Sequence, residues 1–182
     1  MEINLINKNV LITGASNGIG KSIAETIGLS GARIAIHYNK HKKNAEYLAR
    51  QIGNNSKAFK ANLENPNDCE KLFKDVVKEF GHIDVIVNNA GTLIMSPLDS
   101  DNWTLDWDKT MAINLRSVGI LCRLSIQHFK SRKQGRIINI ASRAAFRGDT
   151  AEFLAYAASK AGVVALSKSI ARDFGKDGIT CF

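Results

Sequence analysis

The sequence predicts an α/β fold, a doubly wound parallel sheet in a single domain. Three observations predict it. Apolar runs of four to six residues recur along the 182-residue chain and alternate with helical stretches. Short apolar runs that alternate with helices belong to strands covered on both faces, as in a parallel sheet with helices on either side. A glycine-rich turn also stands between the first run and the first helix. With 45% apolar and 23% charged residues, a chain of this length can bury a core of its own without staples.

The elements follow in order. Asn9 to Thr13 (NVLIT) is the first strand, and the helix after the turn carries Ile19, Ile23 and Ile27 at four-residue spacing before Gly31 ends it. Arg33 to Tyr38 (RIAIHY) is the second strand and completes a βαβ unit. A helix around Lys42 to Gln51 leads to a third strand, Lys57 to Leu63. Leu72, Phe73, Val76, Val77 and Phe80 put an apolar stripe on the next helix. Ile83 to Val87 is the fourth strand, followed by the loop Asn88 to Gly91. A long helical stretch from Trp103 to Arg132, broken near Asn114, is stopped by Gly135. Arg136 to Ala141 is the fifth strand, Phe153 to Phe174 a helix, and Gly178 to Phe182 the opening of a sixth strand. Right-handed crossovers between parallel strands lay these helices over the sheet.

Composition narrows the function classes. The three cysteines, Cys69, Cys122 and Cys181, are odd in number and far apart, which points to a reducing, cytoplasmic compartment. The amino terminus carries an early acid and no apolar leader, and no apolar run approaches 18 residues, so neither export nor a membrane partner is expected. His37, His41, His82 and His128 share no ligand spacing, and no metal site is expected. The net charge of +8 suits nucleic acid, an anionic surface or a phosphate-bearing ligand. The basic residues are dispersed, aromatics are 7%, and no nucleic-acid motif interrupts the α/β pattern, so no nucleic acid is expected.

The turn Gly14-Ala15-Ser16-Asn17-Gly18-Ile19-Gly20 has the composition of a phosphate cradle. Gly14 can take the tight turn, Gly18 lets the backbone approach a pyrophosphate, and Gly20 lets the helix lie close to the strand. The helix start then offers free N–H groups and a partial positive charge. No Gly-Lys-Ser/Thr follows, which excludes a P-loop. Further along, Tyr156 and Lys160 stand four apart and share a helix face. A phenol is a weak base near neutral pH, and an adjacent ammonium favours its ionised form. An exposed i, i+4 pair is the competing reading. Ser142 lies at the carboxyl end of the fifth strand, where ligands sit in open α/β sheets; an ordinary strand-end serine is the alternative.

The glycine spacing is GxxxGxG. Together with Asn88-Asn89-Ala90-Gly91, Ser142 and Tyr156-Ala157-Ala158-Ser159-Lys160, the turn from Thr13 to Gly20 resembles the short-chain dehydrogenase/reductase family, from Asn9 to the last residue. The resemblance implies a Rossmann-type sheet of strand order 3-2-1-4-5 with an incomplete sixth strand. It implies an oxidoreductase moving hydride between a nicotinamide dinucleotide and a carbonyl or secondary alcohol, of 3-oxoacyl or small-ketone type. Within it Tyr156 is the proton donor or acceptor, Lys160 holds the nicotinamide ribose and tunes Tyr156, and Ser142 bonds the substrate oxygen. Asn114 matches the asparagine that holds a water in a proton relay; satisfying local backbone is the competing reading. Gly14, Ser16, Asn17, Gly18, Ile19 and Gly20 would hold the diphosphate, and Asn89, Ala90 and Gly91 the adenosine ribose, with Asn88 steadying the fourth strand. Asn62 and Leu63 stand where the family has an aspartate contacting adenine. The segment from Ser142 to Tyr156 is one residue longer than the family's commonest spacing, so a bulge is expected there.

The end of the second strand, His37-Tyr38-Asn39-Lys40, holds no carboxylate that would repel a 2′-phosphate, and Lys40, Lys42 and Lys43 bring positive charge. NADP is therefore favoured over NAD, with Asn39 and Lys40 as contacts. The family assembles as dimers or tetramers through the long helices flanking the fifth strand, so a homo-oligomer is expected. Its members also run several dozen residues further. Residues 1–182 are thus expected to be one dinucleotide-binding domain without the usual substrate-covering segment and last strand, leaving the fifth strand and last helix uncovered. The alternative to an enzyme is a truncated, inactive dinucleotide-binding fragment.

Overall fold

The computed structural model describes residues 4–182; the first three residues of the amino-terminal segment read for a leader lie outside it. Six strands form one parallel sheet in the order β3-β2-β1-β4-β5-β6: β1 Asn9–Ile12, β2 Arg33–Tyr38, β3 Lys57–Lys60, β4 Val85–Asn88, β5 Gly135–Asn139 and β6 Ile179–Cys181. The helices are α1 Gly18–Leu29, α2 Lys42–Ile52, α3 Pro66–Phe80, α4 Trp103–Met111, α5 Ser117–Arg132, α6 Ala144–Arg147 and α7 Leu154–Phe174.

β1 is central, with Val10 beside Ile34 on one flank and Val85 on the other. Its side chains alternate between two cores as strand geometry requires. Val10 and Ile12 join Ile34, Ile36, Ala24 and Leu48 on one face. Leu11 joins Leu72, Phe73, Val76, Leu121 and Phe129 on the other. Nearly all of the apolar stripe expected on α3 is buried there, Val77 being partly exposed.

Three sequence expectations need correction. Of the spaced isoleucines on α1, Ile23 and Ile27 pack against the core, but Ile19 is 66% exposed, and the fully buried positions are Gly20, Ala24 and Gly28. The reason is proximity: a Cβ at Gly28 would lie 2.5 Å from Ile52 Cγ2, so only a glycine lets α1 meet α2 this closely. Gly135 does not stop α5. Lys133 does, in the left-handed conformation at φ 53°, while Gly135 opens β5 where any side chain would fall on the Phe129 ring. Nor does β5 keep an unpaired edge, since β6 pairs along it from Gly135↔Ile179 to Ile137↔Cys181, with Ile179 and Cys181 buried.

The long helix does break near Asn114. Residues Ala112–Arg116 form a π segment between α4 and α5, so the expected stretch from 103 to 132 is continuous but locally overwide. The segment from Ser142 to Tyr156 contains α6, a turn at Gly148 with φ 75°, and a 3₁₀ turn over Ala151–Phe153.

At the amino ends of the strands, Asp84 ties three of them together. Its carboxylate accepts the Asn9 N–H at 2.9 Å and meets Arg132 Nη2 and His82 Nε2, each at 3.2 Å. Its backbone bonds Asn9 and Arg136. Replacing Asp84 with Ala strands a buried N–H and a partly buried guanidinium, so unfolding stability should fall by about 3 kcal/mol. Urea unfolding would register this as a lower midpoint at unchanged slope.

Candidate active site

The carboxyl ends of the strands open where chain order reverses, between β1 and β4. A cleft of about 720 Å³ lies there, within the range that holds small-molecule ligands. Its floor is the glycine turn, held by the loop after β4. Thr13 Oγ1 accepts the Asn89 and Ala90 N–H groups, both at 3.0 Å. Asn89 Nδ2 donates back to the carbonyls of Thr13 at 2.9 Å and Gly14 at 3.2 Å. This approach requires Gly14: at φ 64°, a Cβ there would sit 2.9 Å from Ala90 Cα.

Three features of the turn fit a phosphate-bearing dinucleotide. Gly18, at φ 53°, would project a Cβ into open space, so its backbone is accessible from the cleft. A Cβ on Gly20 would lie 2.6 Å from the Gly14 carbonyl, so the helix starts as close to the turn as backbone allows. The N-cap Asn17 makes no side-chain capping bond and the first turn of α1 holds no acidic residue, leaving its N–H groups and positive dipole end for an anion. Ser16, Asn17 and Ile19 also line the cleft, whereas Gly20 is buried behind it. On the far wall stand exposed Asn39 and Lys40 together with Asn62 and buried Leu63. Asn62 Oδ1 accepts the Glu64 N–H and its own N–H goes to Asp68, which fixes the turn that carries them. Asn88 points away from the cleft, as expected, and donates to Asn139 Oδ1 at 2.8 Å within the sheet.

Ala90 and Gly91 carry the cleft toward the second group of residues. A Cβ at Gly91 would lie 3.4 Å from Asn114 Oδ1 and 3.7 Å from Lys160 Nζ. Lys160 is buried, and its ammonium donates to the Ile140 carbonyl at 2.7 Å, beyond the end of β5. It sits 5.9 Å from the centre of the Tyr156 ring. Burial pulls its ammonium below the ordinary lysine range. Tyr156 is partly exposed on the first turn of α7. Ser142 is also partly exposed, and its Oγ accepts the Ala144 N–H at 3.2 Å.

Asn114 is fully buried, and protein groups engage its side chain. Oδ1 accepts the Thr92 N–H at 2.7 Å; Nδ2 donates to the Thr92 carbonyl at 2.9 Å and to Ser159 Oγ at 3.2 Å. Ser159 in turn donates to the Tyr156 carbonyl at 2.7 Å. The π segment is thereby tied to both the loop after β4 and the turn that bears Tyr156.

Sequence reading missed His37, Lys109 and Ile113, which also line the cleft. His37 is 2% exposed, with Nδ1 accepting the Gly14 N–H at 2.9 Å. A histidine inside an otherwise apolar strand was the available signal. Lys109 and Ile113 arrive from α4 and the π segment, and nothing local marks them.

The family described as short chain dehydrogenase matches residues 8–182. A curated relative, the 3-oxoacyl-(acyl-carrier-protein) reductase FabG of Vibrio cholerae, is 36% identical over 98% of this chain and 72% of its own length. The reductase of the same name from Escherichia coli is 35% identical over the same shares. Among solved structures, a metagenomic short-chain oxidoreductase in complex with NADP superposes with a TM-score of 0.89 at 30% identity, covering 96% of this chain and 80% of that one.

Burial lowers the His37 imidazole from 6.5 to about 4, against a smaller opposing contribution from its bond to Ala61. The unfolded chain therefore binds this proton first, and stability contributed above pH 6.5 is lost as pH falls toward 4, on the order of 3 kcal/mol in all. Urea titrations across that window should show a steeper loss in the wild type than in His37→Asn, by up to one proton.

Proposed function

The chain belongs to the short-chain dehydrogenase/reductase family of NAD(P)-dependent oxidoreductases, and from that premise we propose that it uses NADPH to reduce the ketone of a 3-oxoacyl compound. The observation that carries this reading is the buried Lys160 ammonium, set between Gly91 at the end of the cleft and the ring of Tyr156. One cation thus borders both the dinucleotide groove and the phenol.

The glycine turn and the start of α1 hold the diphosphate, with Asn89, Ala90 and Gly91 beside the ribose. Lys40 and Asn39 take the 2′-phosphate, where a carboxylate would reject it. That preference accords with the NADP carried by the metagenomic relative. A bound reduced nicotinamide supplies hydride to the carbonyl carbon. Tyr156 delivers its phenolic proton to the carbonyl oxygen as negative charge gathers there. Ser142, its oxygen already engaged by Ala144 N–H, keeps its hydroxyl proton for the same oxygen. Lys160 is held by the Ile140 carbonyl as a fixed charge that steadies the phenolate left behind and reaches the nicotinamide ribose. Asn114 fixes the Thr92 loop and the first turn of α7, keeping Tyr156 and Lys160 in register with the cleft.

The substrate class rests on the relatives' names and on the rim. Leu93 and Met95 on the loop after β4, and Phe146 on α6 after β5, are exposed apolar side chains, a surface for an acyl chain. Assembly through the long helices α5 and α7 and residence in the cytoplasm belong to the same reading. The three free, buried cysteines accord with a reducing compartment.

Mixing the full chain with NADPH and a 3-oxoacyl thioester should consume the reduced-nicotinamide absorbance. Tyr156→Phe should lower kcat at least 100-fold with NADPH affinity unchanged. A retained rate removes Tyr156 from the proton transfer, and a wild-type chain that binds NADPH without turnover supports the inactive-fragment reading instead. Lys40→Glu should raise KM for NADPH about tenfold, a cost of ~1.4 kcal/mol, while leaving NADH use little changed.

A further inference from the structure

His37 occupies the fifth position of β2 and touches both walls of the dinucleotide cleft. Its Nδ1 lies 2.9 Å from the Gly14 nitrogen, its Nε2 3.1 Å from the Ala61 carbonyl oxygen. The partners dictate the tautomer. Gly14 N–H can only donate and Ala61 C=O can only accept, so both bonds exist together only when Nδ1 is bare and Nε2 carries the proton. The backbone repeats the bridge: Ala15 N–H donates to the His37 carbonyl at 3.0 Å, and Ala61 N–H donates to the Tyr38 carbonyl at 3.1 Å.

Two consequences follow for the cleft. The N–H groups of Gly14 and Ala15 are both consumed by His37, which anchors the turn, while the start of α1 has no side-chain cap to occupy its donors. Ala61 immediately precedes Asn62 and Leu63, so the imidazole also sets how far that wall stands from the glycine turn. A rigid planar ring with two opposed polar atoms spans this gap; an apolar side chain would leave the partly buried Gly14 N–H without its partner.

We propose that His37, neutral and protonated on Nε2, is the positioning residue that holds the glycine turn against the Asn62–Leu63 wall and so sets the affinity for the adenosine diphosphate half of the dinucleotide. This rests on the assignment of the cleft to NADP(H) made above. His37 touches no reacting atom; it acts through Gly14 and Ala61. Its neutral state follows from the two bonds, and deep burial favours the same state.

The test compares the full-length wild type, His37→Leu and His37→Asn. His37→Leu should weaken NADPH binding about tenfold, measured by direct titration. It should weaken 2′-phospho-ADP-ribose, which lacks the nicotinamide, by the same factor. KM for NADPH should rise in parallel while kcat stays within about twofold. His37→Asn, whose amide offers one acceptor and one donor, should recover most of the loss. Independently of any variant's folding, ¹⁵N NMR of the wild-type imidazole should show a pyridine-type Nδ1 and a pyrrole-type Nε2. Unchanged affinity in His37→Leu, equal impairment of both variants in kcat and KM, or a protonated Nδ1 would overturn the inference while leaving the dinucleotide assignment intact. A wild type that takes up neither NADPH nor 2′-phospho-ADP-ribose would instead remove that assignment, and the inference with it.

Discussion

The site exists because the loops after β1 and β4 are knitted into one piece. β2 and β4 leave β1 on opposite sides, so the segments above the sheet diverge and a crevice opens between them. An open crevice would be a soft one. Thr13 and Asn89 close its base with four hydrogen bonds, each loop satisfying backbone groups of the other. The fit tolerates no side chain at Gly14, which is why a glycine there serves packing as much as ligand access.

A second set of bonds couples this floor to the opposite end of the molecule's chemistry. Thr92 follows directly from the knitted loop, Asn114 satisfies both of its backbone polar groups, and Ser159 relays the connection to the Tyr156 carbonyl. Lys160 adds an anchor to the tip of β5 through Ile140. Elements far apart in sequence are therefore held by short polar contacts in buried surroundings, where an unmade bond is costly. Such networks resist small displacements, which is what a proton donor and a hydride acceptor site need.

Much of this was legible in the residues. The alternation of apolar runs and helices predicted the sheet and every strand, and the glycine turn was recognisable because it follows a strand and opens a helix. The break at Asn114 was legible too, since asparagine in a helical stretch signals competition for the backbone. What stayed hidden has a physical reason in each case. The most deeply buried positions of α1 are glycine and alanine, which periodicity of large apolar residues reveals only through their partly buried neighbours Ile23 and Ile27. The end of α5 is set by the left-handed Lys133, a conformation that lysine composition does not announce. Lys109 and Ile113 join the cleft through tertiary approach alone. For Asn114 the bonds correspond to the backbone-satisfying reading, since its side chain is engaged by Thr92 and Ser159, and that engagement orders the surroundings of Tyr156.

The π segment carries a further implication. A turn with i→i+5 bonding is an α-helix that has accommodated one surplus residue. Excising a single position from 112–116 would let the helix regularise, yet everything on one side of the cut would swing by roughly 100° about the axis. Either Asn114 would lose Thr92 and Ser159, or α5 would rotate its buried Val118, Leu121 and Cys122 out of the core. The length of this stretch is thus as constrained as its composition, and a deletion that improves the helix as a helix would disassemble the enzyme as an enzyme.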